Sequence, residues 1–303
     1  MPGWAWSVSL AGMDERRLEG GFDGGATVVN GTVRRVTGPW SPSVRRLLGH
    51  LRDRGFDGAP RPLGVDEVGR EVVSYLQGET VGSSRPWPTW THSDEALVQV
   101  AGWLRGFHDA VLDFDPGIEA VWREGAVWCP GLVIGHNDAA PYNAVWNDDR
   151  LVGFVDWDMS GPLVRESDLA WVAFSWVPLH ARDVVEAEGF TDFSDRRRRL
   201  ELFLREYGTD LTADGLLEVL RRRLRENIDA MGVTARSGDV TYQRMLAHDV
   251  DGRLVRALEG LDEVQSRPAS EELQDLSRGR GKTAGNPGCL ERDSLGRGVA
   301  TLV

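Results

Sequence analysis

The stretch that decides the fold reads GHNDAAPYN at residues 135–143 and is followed by GFVDWD at residues 153–158. Apolar residues precede the first stretch and begin the second, so both are expected to adjoin short β-strands. Between them, the turn residues Asn147, Asp148 and Asp149 separate two apolar runs, and this pattern predicts a tight hairpin. The polar residues of both stretches should therefore meet at strand ends that line one cleft.

The two stretches combine the pattern His-x-Asp-x-x-x-x-Asn with an apolar strand ending in Asp-x-Asp, which is typical of phosphoryl-transfer chemistry. Asp138 can accept the proton of an attacking hydroxyl, whereas Asn143 and Asp156 can bind Mg²⁺ on the phosphates of ATP through oxygen atoms. His136 is expected to hold the loop by hydrogen bonding more than to carry a proton. Each residue alone is also a common turn residue, so the order and spacing of the whole set carry the interpretation.

The composition limits the classes of partner. A chain of 303 residues can form two lobes with a substantial core. No run approaches the ~18 apolar residues of a membrane span, and the first residues do not resemble a signal peptide, so we expect a cytoplasmic protein without a membrane partner. A net charge of −12 argues against nucleic acid and suits a cationic small molecule, although solubility alone also explains it. The two cysteines, Cys129 and Cys289, indicate neither a disulfide framework nor a metal site.

The first part of the chain is predicted to be rich in β-strands. Asn30-Gly31 separates two β-branched runs, which is a strong hairpin signal. The glycine cluster before the hairpin could let backbone amides approach a phosphate, although glycines also mark plain turns; we assign to it Gly21, Gly24 and Gly25. A helix should begin at Ser41-Pro42, and further strands are expected at residues 62–65 and 70–76.

The segment after the last predicted strand should connect two lobes. Residues 77–79 are expected to act as the hinge, where free backbone groups could pair with the edge of an adenine. Ser74 and Leu76, immediately before the hinge, are assigned to the same nucleotide site. From Ser93 onward, apolar residues recur at the helical spacing, and further helices are predicted from Ser167 and over residues 194–207, 212–231 and 239–264.

With these residues identified, the chain resembles the aminoglycoside phosphotransferase and choline kinase-like family, which shares its fold with protein kinases. The resemblance covers roughly residues 17–264 and is most specific over residues 136–158. Residues 33–35, 38–42, 69–71 and 176–179 are similar, more narrowly, to a bacterial subgroup of trifolitoxin-immunity-like, phosphotransferase-family proteins.

The resemblance implies an α+β fold with two lobes, as in protein kinases. A small, β-rich N-lobe with the glycine-rich loop is expected over residues 1–76, and a hinge over residues 77–92. A larger, mainly helical C-lobe with the catalytic loop follows over residues 93–264. Residues 265–303 lack apolar periodicity and are expected to be a disordered tail.

The resemblance also implies roles for individual residues. Asp138 orients or deprotonates a hydroxyl of a small-molecule acceptor, and Asn143 and Asp156 hold Mg²⁺ on ATP. Asp158 supports a second metal ion or orders the loop, and Asp168 buttresses the catalytic loop. The implied reaction is Mg²⁺- and ATP-dependent transfer of the γ-phosphoryl group to an aminoglycoside-like antibiotic, an amino alcohol or a metabolite.

Two departures from the family pattern concern the cation on the third strand. The only lysine of the chain, Lys282, lies in the expected tail, so Arg34 or Arg35 must take the place of the usual lysine. Alternation along a strand puts these two arginines on opposite faces, and position favours Arg34. The helical glutamate that usually pairs with the cation is missing, because Val44 occupies its place.

These departures keep other functions open. One alternative is a catalytically impaired nucleotide-binding or toxin-immunity module of the same fold. Another is a metal-dependent hydrolase built on His136 and the nearby aspartates. Acidic residues of the later helices, such as Glu186 and Glu188, would suit a cationic acceptor but equally suit a solvated helix. Trp157 could either pack or line the cleft, and the oligomeric state is not indicated by the sequence.

Overall fold

The computed structural model describes residues 15–17, 25–82 and 85–265. Its first part is a five-stranded antiparallel sheet in the order β1-β2-β3-β5-β4. The strands are β1 (Glu15–Arg17), β2 (Ala26–Val29), β3 (Thr32–Arg35), β4 (Pro62–Val65) and β5 (Glu71–Ser74). Gly21 and Gly24 of the predicted phosphate loop, Lys282, and residues 266–303 of the predicted tail lie outside the described residues.

The predicted hairpin forms between β2 and β3. Asn30 and Gly31 both have positive φ angles, 51° and 73°, as the two central residues of a type I′ turn require. β3 then pairs with β5 so that Arg34 lies opposite Val72 and Arg35 opposite Glu71. The register therefore puts an arginine and a glutamate side by side on one face of the sheet.

The helix predicted from Ser41 is α1 (Ser41–Asp53), with a proline in its first turn. Its apolar stripe is buried almost completely, through Val44, Leu47, Leu48 and Leu51. Val44 is thus a core residue. Buried there, Val44 gives α1 no charged partner for the cation of β3 at this position.

The second part of the molecule is mainly helical, so the predicted α+β class is confirmed. α2 (Asp94–Ala110) begins as predicted, with the Ser93 hydroxyl accepting a hydrogen bond from the Ala96 amide at 3.1 Å. The other helices are α3 (Arg165–Trp176), α4 (Arg182–Ala187), α5 (Arg196–Tyr207), α6 (Ala213–Arg236), α7 (Val240–Ala247) and α8 (Val250–Gln265). No helix in the described ranges is long and apolar enough to cross a membrane.

The helical part differs from the predicted one in two places. Residues 239–264 form two helices, because Asp249 adopts a left-handed conformation with φ of 58° that interrupts the chain between α7 and α8. The six-residue helix α4 has no counterpart among the predicted elements, since it is too short to show a full apolar period.

Four short strands frame the two motif stretches: β6 (Val133–Gly135), β7 (Ala144–Asn147), β8 (Arg150–Phe154) and β9 (Gly161–Leu163). β7 and β8 form the predicted hairpin, whereas β6 pairs with β9 across the whole stretch between them. Residues 136–143 therefore leave one strand pair and enter the other. Residues 155–160 connect β8 back to β9, so the two segments lie side by side.

The predicted hinge is tied to the helical part. Glu79 and Trp146 form a two-way backbone pair, with both N–H···O distances 2.8 Å. Gly78, with φ of 150°, makes this approach possible, since a Cβ atom there would lie 2.3 Å from the Trp146 carbonyl oxygen. The backbone groups of Glu79 are thus engaged within the protein. The expectation of free groups for an adenine edge is wrong at this residue.

Candidate active site

The candidate base, Asp138, lies in the loop that follows β6 and is almost completely buried. Both of its carboxylate oxygens accept hydrogen bonds from the same loop. The Tyr142 hydroxyl donates to Oδ1 at 2.8 Å, and the Asn143 side-chain amide donates to Oδ2 at 2.8 Å. A single turn of 3₁₀-helix, Pro141–Asn143, brings these two donors back over the carboxylate.

The surroundings of Asp138 increase its affinity for a proton. Burial raises the pKa of Asp138 well above its usual value, and the negative charge of Asp156 acts in the same direction. The hydrogen bonds from Tyr142 and Asn143 lower the pKa and so oppose this effect. A carboxylate with raised proton affinity, held in a fixed position, suits a general base for a hydroxyl. Tyr142 was not predicted, because a tyrosine on a loop carries no spacing signal.

His136 holds the loop in place. It is fully buried, and Nε2 donates to the Val155 carbonyl oxygen at 3.2 Å while Nδ1 accepts from the Asp138 amide at 3.3 Å. These partners select the neutral tautomer with the proton on Nε2. Burial lowers the pKa of His136 to about 4, so the ring stays neutral at pH 7. Trp157 is equally buried and packs against this ring at 4.5 Å between centroids; it does not line a cleft.

Asn137 ties the base loop to the segment after β8 and to a late helix. It adopts a left-handed conformation with φ of 64°, and its side-chain amide donates to the Met159 carbonyl oxygen at 3.0 Å. Its side-chain oxygen Oδ1 accepts from the Arg223 guanidinium of α6 at 3.0 Å. Arg223 is nearly fully buried and also donates to the Ser167 carbonyl oxygen at 2.7 Å. This contact between residues 137 and 223 was not foreseen from the sequence.

Asp168, at the start of α3, supports the same loop in the way the family resemblance implies. Its Oδ1 accepts from the Asn137 amide at 3.3 Å, and its Oδ2 pairs with His108 Nε2 at 3.1 Å. Burial alone would raise the pKa of Asp168, but the hydrogen bond and the charge interaction with His108, together with Arg223, lower it overall. Asp168 is therefore a buried, ionised support for the loop.

The candidate metal ligands lie on the two adjacent segments. The Val155 amide donates to the Asn143 carbonyl oxygen at 2.9 Å, which brings Asn143 next to Asp156. Asp156 has φ of 59°, and its side chain is 48% exposed. Asp158 follows on a short 3₁₀ turn and is 15% exposed. Amide and carboxylate oxygens are ligands that Mg²⁺ accepts, usually one or two per ion with the remainder from phosphates and water.

No group of three or more His, Cys, Asp or Glu side chains within residues 15–17, 25–82 and 85–265 is arranged to hold a metal ion. The donor set therefore fits a Mg²⁺ ion that shares its coordination with nucleotide phosphates better than one enclosed by the protein.

The structure places Arg35, and not the predicted Arg34, at this site. Arg35 Nε lies 3.0 Å from Glu71 Oε2, Nη1 lies 3.9 Å from Asp156 Oδ1, and Nη2 contacts Asp158 directly. Arg34 turns to the opposite face, where it contacts Thr32 and lies 3.7 Å from Asp66. The choice of Arg34 by position fails because Arg35 shares the face of Val33, which packs on the core.

The remaining predicted nucleotide residues have contacts of their own. The Ser74 hydroxyl accepts from the Arg61 amide at 2.9 Å, as a residue closing a strand pair does. Leu76 is half-buried, and Gly25 has a φ of 79° that favours glycine. None of these contacts involves the catalytic loop, so the assignment of these three residues to a nucleotide stays a prediction.

The two acidic residues considered for a cationic acceptor differ in their surroundings. Glu186 is exposed and pairs with Arg182 at 3.5 Å, one helical turn away. Glu188 is nearly buried, and burial raises its pKa to about 7, although Arg85 at 3.5 Å acts in the opposite direction. Its charge also contributes to a raised pKa of Tyr142, after burial and Asp138. Glu188 is therefore a largely buried carboxyl group paired with Arg85, whereas Glu186 has the surroundings of a solvated helix.

Comparison with known proteins places this geometry in a family. Residues 118–203 match the model of the phosphotransferase enzyme family. The trifolitoxin immunity protein of Rhizobium leguminosarum bv. trifolii is 37% identical over 200 residues, which are 64% of this chain and 74% of that protein.

Solved structures show the same fold at low sequence identity. A choline kinase from Cryptosporidium parvum Iowa II has a TM-score of 0.57 and 12% identity, with 86% of this chain and 92% of that chain covered. A complex of gentamicin with APH(2")-IIa has a TM-score of 0.51 and 13% identity, with coverage of 84% and 92%. A macrolide 2'-phosphotransferase from Brachybacterium faecium gives 0.50 and 14%, with coverage of 84% and 93%. The chain thus belongs to the phosphotransferase enzyme family and has the two-lobed, protein-kinase-like fold of aminoglycoside phosphotransferases and choline kinases.

Proposed function

We propose that this protein transfers the γ-phosphoryl group of Mg²⁺-bound ATP to a hydroxyl group of a small molecule. The observation that carries the proposal is the arrangement of Asp138, Asn143 and Asp156. The Asp138 carboxylate is buried and accepts hydrogen bonds through both oxygens. Asn143, in the same loop, and Asp156, on the adjacent segment, supply oxygen ligands suited to Mg²⁺. In this proposal the five-stranded sheet and α1 belong to the N-lobe, residues 77–92 form the hinge, and α2–α8 belong to the C-lobe.

The chain's own residues act mainly by positioning and by neutralising charge. Asp138 takes up the proton of the acceptor hydroxyl, and His136 and Asn137 keep its loop in register with the segment of Asp156. Asn143 and Asp156 would hold the metal, which neutralises charge on the phosphates when bound. Arg35 is the cation placed to contact the same phosphates, since an arginine fork suits phosphate oxygens.

The acceptor is proposed to carry a positive charge. Beside burial, the carboxyl groups of Asp138, Glu188 and Asp156 raise the pKa of Tyr142, so three acidic groups act on this residue of the loop. Aminoglycoside-like antibiotics and amino alcohols both have a hydroxyl and an amine, as this arrangement requires.

Titration calorimetry tests the nucleotide site without knowledge of the acceptor. The wild type should bind ATP with Mg²⁺, and binding should weaken strongly when Mg²⁺ is withheld or when Asp156 is replaced in Asp156→Asn. Asp149→Asn, in the exposed turn of the same hairpin, is the matched control and should bind as the wild type does. A wild type that binds no ATP in the presence of Mg²⁺ contradicts the proposal.

A second candidate function is a nucleotide-binding immunity module without turnover. The observation that favours it is the 37% identity to the trifolitoxin immunity protein. It predicts nucleotide binding with no loss of ATP across a broad panel of amino alcohols and aminoglycosides. Release of ADP that depends on one member of that panel would decide for the transferase.

A further inference from the structure

Arg35 connects three acidic side chains from different parts of the chain. Glu71 lies on the neighbouring strand β5, whereas Asp156 and Asp158 follow β8. One guanidinium reaches all three, through Nε to Glu71 and through its two terminal nitrogens to the aspartates. Arg123 lies 3.9 Å from the other oxygen of Asp158, so this carboxylate faces two arginines.

Glu71 is the fixed end of this arrangement. Its side chain is 0% exposed, and neither of its carboxylate oxygens has an aligned hydrogen bond among the described residues. A buried carboxylate without a counter-charge is strongly unfavourable, so the Arg35 guanidinium 3.0 Å away is what compensates it. The cross-strand register supplies the partner that Val44 of α1 cannot provide.

The terminal nitrogens of Arg35 can change partners. Asp156 is half-exposed, and its contact of 3.9 Å is long for an ion pair. Asp156 and Asp158 are also the carboxylates assigned to the metal. An arginine and a divalent cation carry charge of the same sign, so they repel each other at shared oxygens. Nucleotide phosphates would give the guanidinium another anionic partner and relieve this competition.

We propose that Arg35, anchored on Glu71, competes with a divalent cation for Asp156 and Asp158 and so makes tight metal binding depend on bound nucleotide. The inference rests on the proposed function, because it assumes that this site holds a metal-bound nucleotide. By linkage, the nucleotide strengthens metal binding by the same factor as the metal strengthens nucleotide binding. Arg35 sets the size of that factor.

The test is Mn²⁺ binding to the full-length protein, followed by the electron paramagnetic resonance signal of the free ion, with and without ADP. Without nucleotide, Arg35→Gln should bind Mn²⁺ roughly tenfold more tightly than the wild type, because a competing charge is gone. Glu71→Gln should bind several-fold more weakly, since it removes a negative charge and frees Arg35 for the aspartates. These opposite signs are not expected from general loss of structure.

Two control variants come from the same sheet. Arg34→Gln removes the neighbouring arginine on the opposite face, and Arg61→Gln removes an exposed one paired with Asp57. Both should stay within about twofold of the wild type. Arg35→Lys keeps one charge but lacks the fork, so it should tighten Mn²⁺ binding by only about threefold; it replaces Arg35→Gln if that variant fails to fold.

Unchanged or weaker nucleotide-free Mn²⁺ binding in a folded Arg35→Gln or Arg35→Lys protein overturns the inference. Tightening in Arg34→Gln equal to that in Arg35→Gln would overturn it as well. A wild type that binds Mn²⁺ but shows no effect of ADP overturns the dependence on nucleotide; the proposed function is refuted only if calorimetry also shows no binding of ATP in the presence of Mg²⁺. The variant comparison without nucleotide then still decides whether Arg35 competes for the carboxylates.

Discussion

The catalytic loop and the strand pair β3–β5 both bring charged groups to the site, yet different contacts hold them. The partners of Asp138 are Tyr142 and Asn143, only four and five residues away in sequence. Arg35 reaches Asp158 across 123 residues. The surroundings of the candidate base are therefore set by local spacing, whereas the choice of cation depends on how distant segments pack. Variants that act on one region and not the other test this distinction.

The largest effect is expected from the local region. Asp138→Asn should lower phosphoryl transfer to the acceptor roughly 10³-fold while nucleotide binding persists, because the base is lost and the metal ligands remain. ADP release measures transfer, and calorimetry measures binding. Asp148→Asn is the control. Asp148 lies exposed in a turn with a left-handed backbone, a conformation that asparagine also tolerates. Turnover near that of the wild type in Asp138→Asn would rule out its role as base.

The second-largest effect is expected for Arg223 of α6, which supports the same loop from a distant part of the sequence. Arg223→Met removes the guanidinium that donates to the side-chain oxygen of Asn137 and to the Ser167 carbonyl oxygen, so it leaves the buried Asn137 oxygen without this donor. The free energy of unfolding in urea should fall by roughly 2–4 kcal/mol. Arg222→Met, at the exposed neighbouring position of α6, should change it by less than about 0.5 kcal/mol. Equal stability of the two variants would show that the loop does not depend on α6.

A smaller loss is expected at the junction of the sheet and the helical part. Gly78→Ala puts a Cβ atom against the Trp146 carbonyl oxygen and must open the Glu79–Trp146 backbone pair. The free energy of unfolding, measured by thermal and urea denaturation, should fall by about 1–3 kcal/mol. Gly49→Ala is the contrasting change, because its Cβ would meet nothing within 4 Å inside helix α1. It should stabilise by roughly 0.5–1 kcal/mol. A neutral Gly78→Ala would argue against the close approach.

The smallest effect should depend on pH. The pKa of Glu188 is about 7 in the folded protein against 4.5 for the free side chain, because burial disfavours the charged form. Its contribution to stability is thus fully present below pH 4.5 and is lost as the pH rises through 7. Glu188→Gln should therefore be more stable than the wild type at pH 8, by roughly 1–2 kcal/mol, with little difference at pH 5. Urea titrations at both pH values measure it; an equal difference at both would point to packing instead.

Much of the fold could be read from local pattern. The Asn30-Gly31 turn, the apolar stripe of α1 and the capped start of α2 each depend on residues within a few positions of one another. α4 and the interruption at Asp249 could not, because a six-residue helix and one left-handed residue leave too little periodic signal. The pairing of β6 with β9 is equally unreadable, since each strand has only three residues.

The site divides in the same way. Asp138, Asn143 and Asp156 could be proposed from spacing, because their residue types and order match those of phosphoryl-transfer sites. The choice between Arg34 and Arg35 depends on which of them lies on the same face of β3 as the core-facing Val33. The sequence does not show which face of β3 is turned to the core. Glu71 carries no motif at all, and its importance arises from the register with Arg35.

The order and spacing of residues 135–158 were enough by themselves to predict the phosphotransferase family and to propose its site residues, because a turn holds its own neighbours together. Tertiary structure alone decided that Arg35 faces the candidate metal ligands, that Glu71 neutralises it, and that Arg223 braces the loop. The physical reason is burial. A charge removed from water needs a counter-charge or hydrogen-bond partner, and in a folded chain that partner can come from any distance in sequence.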